Sequence, residues 1–338
     1  MSTYAATRIE HQARSLFRGG RGYLSAATAG LPTRETTEAM RSHIDEWERG
    51  AIDPARISTQ FEQCRTHFAT LAHVSEEQVA IGSQVSQLVS LVAASLPPGA
   101  DVLCASGDFA SLVHPFVQRD DVTVRTVPVD DLAESVRDDT ALVVFSLVQS
   151  ATGQVADHLP IVDAARTHGA RTLVDLTQSL GWYHVGADPF DYTVTHSYKW
   201  LCSPRGMAFL TVGGSVDELR ATAAGWYSAD DVWASCYADN MQLAAGAGRY
   251  DLSPVWPSVA GTEAALGMFA TLDQSAVERH AVSLANEARS LLDLPPGNSA
   301  IVAWADPDGH DLASLQRSGI AAAGRAGNAR ISFHLWNT

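Results

Sequence analysis

LVDLTQSLGW, residues 173–182, and TVTHSYKWLCSPRG, residues 193–206, decide how this chain is read. Each begins as a short apolar run of the kind that forms a buried strand, and each breaks into polar residues where that strand should end. In the first, Asp175 sits at the strand end, where a carboxylate is unfavourable unless something pairs with it. In the second, Lys199 comes a few residues after the strand. A strand end leading into a short loop aims the amine into the same crevice as Asp175, because open α/β sheets take their ligands at the carboxyl ends of strands.

Lys199 is the one lysine in a chain with 22 arginines. A coding bias toward arginine accounts for the shortage, since arginine replaces a surface lysine without loss of charge. A lysine that must act as a neutral amine has no such substitute: guanidinium does not deprotonate in proteins, whereas an ammonium does and can form a Schiff base. Asp175 keeps two readings. It is an N-cap for a helix that follows, a role that suits Asp and Thr, or it pairs with a protonated pyridine nitrogen and so makes that ring an electron sink. In the second case Gln178 is placed to donate to the ring hydroxyl, while His196, Ser197 and Tyr198 add polar groups suited to a phosphate or a ring.

Working outward, apolar strand-like runs at 79–81, 102–105, 122–127, 142–147, 172–174, 192–195 and 207–212 alternate with helical stretches at 84–96, 112–118 and 160–168. Two amphipathic helices, 33–49 and 55–73, precede them. The alternation predicts an α/β fold with a mostly parallel, doubly wound, seven-stranded sheet. AIGSQVSQLV, residues 80–89, runs from a strand through Gly82 into Ser83, Gln84 and Ser86 at a helix start. That is either an ordinary capped helix or a phosphate cradle. Residues 226–257, rich in aromatics, Gly and Pro, read as a long ordered loop. Beyond it, helices at 258–272 and 274–292 and strands at 301–304, 320–323 and 329–335 suggest a small C-terminal α+β domain.

Composition removes several function classes. The formal net charge is -15 with no long basic run, which argues against nucleic acid or an anionic membrane as a partner. No apolar stretch approaches the roughly 18 residues of a transmembrane helix, and the first residues lack the apolar core of a signal peptide. Cys64, Cys104, Cys202 and Cys236 are too scattered for a disulfide framework or a CxxC pair, which fits a reducing cytoplasm. There is no GxGxxG after a strand, no GxSxG, no P-loop and no HExxH, so no metal site is expected.

In their order and spacing, GSQVSQLV, DLTQ and SYK resemble the class V aminotransferase family of fold-type I pyridoxal-phosphate enzymes, from about Tyr23 to Asn337. That family includes kynureninases, isopenicillin N epimerase, cysteine desulfurases and C–S lyases. The resemblance implies pyridoxal 5'-phosphate on Lys199, with Asp175 on the ring nitrogen and Gln178 on the ring hydroxyl. It implies a phosphate held by Ser83, Gln84, His196 and Tyr198. GDFAS lies where the family stacks a ring on the cofactor, which nominates Phe109; VQSATGQ nominates Gln149 near the ring oxygen. RYDLSP implies that Ser253 reaches the phosphate of a partner subunit, and GWY that Trp226 crosses the interface to the substrate. ARISFHLWNT matches the strand whose arginine grips the substrate carboxylate, here Arg330; guanidinium suits that task through two parallel hydrogen bonds. Arg205 and Arg249 are weaker candidates.

The implied organisation is an N-terminal segment (1–30) packing on the small domain, a large cofactor-binding domain (31–250) and a small domain (251–338), assembled as a homodimer with shared active sites. Tyr198 stands where desulfurases carry His, and no cysteine comes after Cys236, so a persulfide-forming desulfurase is disfavoured. The expected chemistry is removal of the Cα proton of an amino acid by Lys199, leading to transamination or β-elimination. Epimerisation is the alternative within the class, and a catalytically silent binding module is the alternative outside it.

Overall fold

The computed structural model describes residues 15–338; the first half of the expected N-terminal segment, residues 1–14, lies outside them. Two helices open the described fold. α1 (Arg34–Glu48) is capped by Thr33, whose Oγ1 accepts from the Thr36 N–H at 3.0 Å. α2 (Pro54–Ala72) is capped by Asp53, with Pro54 at a position where a missing N–H costs nothing.

Then the alternation begins: β1 (Val79–Gly82), α3 (Val85–Ser95), β2 (Asp101–Ala105), α4 (Ala110–Val117), β3 (Thr123–Val127), β4 (Thr140–Ser146), α5 (His158–His168), β5 (Arg171–Asp175), β6 (Tyr192–His196) and β7 (Ala208–Val212). These seven strands form one sheet in the order β1-β7-β6-β5-β4-β2-β3. β7 runs antiparallel to both neighbours, and every other pairing is parallel. All seven strand expectations hold to within about two residues.

The central strands are apolar without a break because helices cover both faces. Val143 and Phe145 of β4 point into the layer with α2 and α5, while Leu142 and Val144 point into the layer with α3 and α4. Phe145 and Phe209 are wholly buried, and truncating either to alanine should cost about 3–5 kcal/mol.

After β7 the chain traverses residues 226–255 with three single 3₁₀ turns, the expected long loop, and enters α6 (Trp256–Ala270), which packs on α1 and α2. α7 (Gln274–Leu291) then covers a three-stranded antiparallel sheet of β8 (Ile301–Ala305), β9 (Ala323–Arg325) and β10 (Asn328–Ser332), ordered β8-β10-β9. α8 (His310–Arg317) links β8 to β9. The expected strand at 320–323 is displaced: Ala321 instead bridges to Tyr23, and Ser332 bridges to Ser25. The segment around 23–25 thus docks on the small sheet before the chain crosses to the large one.

Candidate active site

β4, β5 and β6 end side by side, with Ser146 opposite Asp175 and Asp175 opposite Val194. The segments leaving these three strands converge on a cavity of about 900 Å³ between the large and the small sheet. Asp175, Gln178, His196, Tyr198 and Lys199 all line it, together with Gln84 and Phe109.

Lys199 is 7% exposed. Its Nζ lies 5.5 Å from the centre of the Phe109 ring and 5.7 Å from that of Tyr198. Burial pushes its pKa down to about 8; Asp175 opposes that shift, and the charges of Arg330, Arg325 and Arg205 reinforce it. The backbone around it is tied from several sides. The Gly30 N–H donates to the Tyr198 carbonyl at 2.9 Å, and a β-carbon on Gly30 would stand 2.0 Å from the Lys199 carbonyl oxygen, so only glycine fits. Trp200 Nε1 donates to Gln178 Oε1 at 2.8 Å, and His334 Nε2 lies 2.7 Å from the Trp200 carbonyl oxygen.

Asp175 is 6% exposed. Burial raises its pKa, while Thr177 and the charge of Lys199 pull the other way. The Thr177 N–H donates to Oδ1 at 2.8 Å, which closes a local turn; no helix follows Asp175 before β6, so the expected helix N-cap is not its role. No arginine or lysine forms an ion pair with it among the described residues. A carboxylate that caps its own turn and still lacks a cation suits a ligand that brings one.

His196 is buried with neither ring nitrogen hydrogen-bonded. Its ring meets Tyr198 edge-on at 4.4 Å, and the guanidinium of Arg205 sits 5.1 Å from the centre of the Tyr198 ring. Burial, then Arg205 and Lys199, holds the imidazole neutral with a pKa of about 3. Gln84 and Val85, at the start of the 11-residue α3, line the same wall. Their end of the helix offers unpaired N–H groups and a partial positive charge.

Arg330 does not touch the cavity but stands directly behind it, 2% exposed. Its Nη1 donates to the carbonyl and, at 3.2 Å, to the hydroxyl of Ser150, and Nη2 donates to Thr28 Oγ1 at 3.1 Å. Ser150 and Thr28 line the cavity. No carboxylate pairs with this buried guanidinium among the described residues, and burial with the neighbouring Arg325 lowers its pKa to about 10.

The remaining expected residues lie elsewhere. Ser83 and Gln149 are not in the cavity wall. Ser150, next to Gln149, does line the cavity: its oxygen accepts from Gln178 Nε2 at 3.0 Å as well as from Arg330. Gln178 spends its amide on Ser150 and, at 3.0 Å, on the Ala27 carbonyl. Trp226 packs edge-on against Tyr227 and Trp233, and Ser253 is exposed; neither lines the cavity of its own chain. Arg249 bonds Asp217 and the Ala244 carbonyl, a structural role, whereas Arg205 does line the cavity.

Three further contributors stand beside these, the first within YLSAATAGLP (residues 23–32), which resembles the family's N-terminal entry segment, and the other two not nominated from the sequence. Residues 27–30 form part of the wall, Arg325 stands at its edge, and Asp108 supports it. The Asp108 carboxylate accepts the Ser146 N–H at 2.7 Å and the Phe109 N–H at 3.2 Å, and burial raises its pKa to about 6. A carboxylate directly before a nominated aromatic was the available signal.

The family model described as Aminotransferase class-V matches residues 23–323, a span that holds the lysine, its carboxylate neighbour and most of the cavity wall.

This chain belongs to the class-V aminotransferase family.

Among curated relatives, kynureninase of Deinococcus radiodurans is 29% identical over 294 residues, covering 80% of this chain and 69% of that protein. Isopenicillin N epimerase of Streptomyces clavuligerus is 25% identical, covering 75% and 73%. Two solved structures share the fold. The cystine C–S lyase C-DES, in complex with its product cysteine persulfide, superposes with a TM-score of 0.82 at 22% identity, covering 93% of each chain. The cysteine desulfurase CsdA of Escherichia coli gives 0.82 at 20% identity, covering 97% and 94%. A C-DES variant carries glycine covalently linked to its pyridoxal-phosphate cofactor. Fold-type I class V architecture and membership of a pyridoxal-phosphate family are therefore established for this chain.

Proposed function

We propose that this member of the family binds pyridoxal 5'-phosphate through Lys199 and acts at Cα of an amino acid, by transamination or β-elimination. The observation that carries the reading is the sole lysine of the chain. Its amine is buried in a cavity wall beside an unpaired carboxylate, with a pKa lowered to about 8. When bound, the cofactor supplies an electron sink for the pair of electrons left at Cα.

The residues present fit that group. Asp175, capped yet lacking a cation, would hold the ring nitrogen in its protonated form. His196 offers two unengaged nitrogens, and with the α3 N-terminus, Tyr198 and Arg205 it would hold the phosphate. Phe109, half exposed on the wall, presents a ring face. Arg330 would take the substrate carboxylate in place of its present contacts to Ser150 and Thr28. Lys199 Nζ would take the Cα proton as a neutral amine, a state its lowered pKa makes available near neutral pH.

A persulfide carried on a cysteine of this chain is not part of this reading. Cys202 lines the cavity, but burial raises its thiol pKa well above the usual value, and Cys236 lies on the loop away from it. We further propose a homodimer in which Ser253 and Trp226 serve the partner's site, since neither serves its own. A protein that is active as a monomer by light scattering would refute that arrangement.

The decisive test is a visible spectrum after incubation with pyridoxal phosphate. Wild type should show a band that borohydride removes, and Lys199→Ala should show none; a wild type without the band overturns the assignment. Pyruvate and ammonia released from cysteine conjugates with no keto acid present would select β-elimination, whereas a strict need for the keto acid would select transamination.

A further inference from the structure

The cavity gathers positive charge in a chain whose net charge is -15. Arg205, Arg325 and Lys199 line it and Arg330 stands behind it, against a single lining carboxylate, Asp175. These cations have different positions. Arg205 lies over the Tyr198 ring, next to His196 and the residues assigned to the phosphate. Arg330 is the buried group assigned to the α-carboxylate. Arg325 belongs to neither set, and its place comes from strand register.

β9 and β10 pair antiparallel, with Arg325 opposite Asn328 and Ala323 opposite Arg330. Residues 328 and 330 share one face of β10, and directly opposed residues share a face across the pair. Arg325 and Arg330 therefore project from the same face of the small sheet as diagonal neighbours, about 7–8 Å apart at their bases. Arg325 donates to the Gly324 carbonyl at 2.6 Å, and it has no carboxylate partner among the described residues. Its charge is nevertheless felt by Arg330, Tyr198 and Lys199. Two guanidinium groups on one face, one deep and one at the rim, neither paired with an acid, match a ligand with two separated anionic groups.

We propose that Arg325 is a specificity residue that selects amino acids bearing a second carboxylate at the end of the side chain. This rests on the assignment of Arg330 to the α-carboxylate. With that end fixed, a side chain extending toward the cavity mouth meets Arg325, and an uncharged isostere leaves this cation without its partner.

The test uses wild-type protein loaded with pyridoxal phosphate, titrated with L-aspartate, L-glutamate and L-2-aminoadipate and with L-asparagine and L-glutamine, read as the change in visible absorbance. At least one diacid should bind about tenfold more tightly than the amides. In Arg325→Gln that preference should shrink to about twofold or less, and Arg325→Lys should keep part of it because charge survives without the forked geometry. Three results overturn the proposal while leaving the cofactor assignment intact: diacids and amides bind equally to loaded wild type, none of them binds, or the preference persists in Arg325→Gln. A wild type that never develops the borohydride-sensitive band would instead overturn the cofactor assignment, and this proposal with it.

Discussion

Lys199 is under three opposed influences: burial and the nearby arginines disfavour its charge, and Asp175 favours it. The net result lowers the folded pKa from 10.5 to about 8. Because the chain has one lysine, this is measurable without ambiguity. Protein labelled with ε-¹³C lysine should give one lysine resonance, titrating near pH 8 in the cofactor-free state; a midpoint near 10.5 would mean an exposed amine. The sign of the linked stability is fixed as well. A lysine whose folded pKa is depressed binds fewer protons folded than unfolded between about pH 8 and 10.5, so stability rises with pH through that window. Burial raises the thiol pKa of Cys64, Cys104 and Cys202, which lowers stability above about pH 9, so the lysine's share is read as a difference: the urea midpoint of wild type relative to Lys199→Met should rise between about pH 8 and 10.5. Arg330 makes a complementary case. Arg330→Lys keeps the charge but loses the fork, and should weaken amino-acid binding by about tenfold to a hundredfold. Unchanged affinity would show that the α-carboxylate binds elsewhere.

Elements carry the cavity side chains by where they stop. β5 ends at Asp175 and β6 at His196, so the residues after them fall on one edge of the sheet. This much was legible, because a buried parallel strand announces itself as an apolar run and its end as the first polar residue. The turn after β4 is harder to read. Beyond β4 the chain turns back, with the Gln149 N–H donating to the Gln154 carbonyl and Val148 bridging to Val155. Ser150 begins the turn itself, and of the two only it lines the cavity. Arg325 was illegible for another reason: its position depends on the register of β9 against β10, which local sequence does not state. Asp108 bears on element placement directly, since its carboxylate holds both the start of the Phe109 segment and the last residue of β4. Asp108→Ala leaves the Ser146 N–H without an acceptor and should cost about 1–3 kcal/mol in urea denaturation, whereas Asp108→Asn should recover most of that loss. Equal losses in the two variants would show that charge matters here rather than hydrogen bonding.

At the scale of the whole molecule, the cavity is where two sheets meet, and several ties cross that junction. Ser25 and Tyr23 bridge to the small sheet, Arg330 reaches back to Ser150, and His334 reaches the carbonyl of Trp200 next to Lys199. The first two join the N-terminal segment to the small-sheet side, Arg330 joins the small sheet to the segment after β4, and His334 reaches the segment that carries the amine. A ligand held by Asp175 and Lys199 on one side and by the α3 N-terminus on the other adds to the folded state alone, and so stabilises it by mass action. At free pyridoxal phosphate a thousandfold above its dissociation constant the gain is about 4 kcal/mol. For a chain of this length, that corresponds to a rise of roughly 5–10 °C in the thermal midpoint. Lys199→Ala should lose most of the rise while its cofactor-free midpoint stays close to that of wild type, because the residue removed is a buried amine that folding does not favour in charged form. Gly30→Ala should behave differently. The added methyl displaces the Lys199 carbonyl, so the cofactor-free midpoint should fall and the cofactor-induced rise should shrink together. If Gly30→Ala kept the full cofactor-induced rise, the contact between residues 27–30 and the lysine loop would be packing alone, with no hold on the amine.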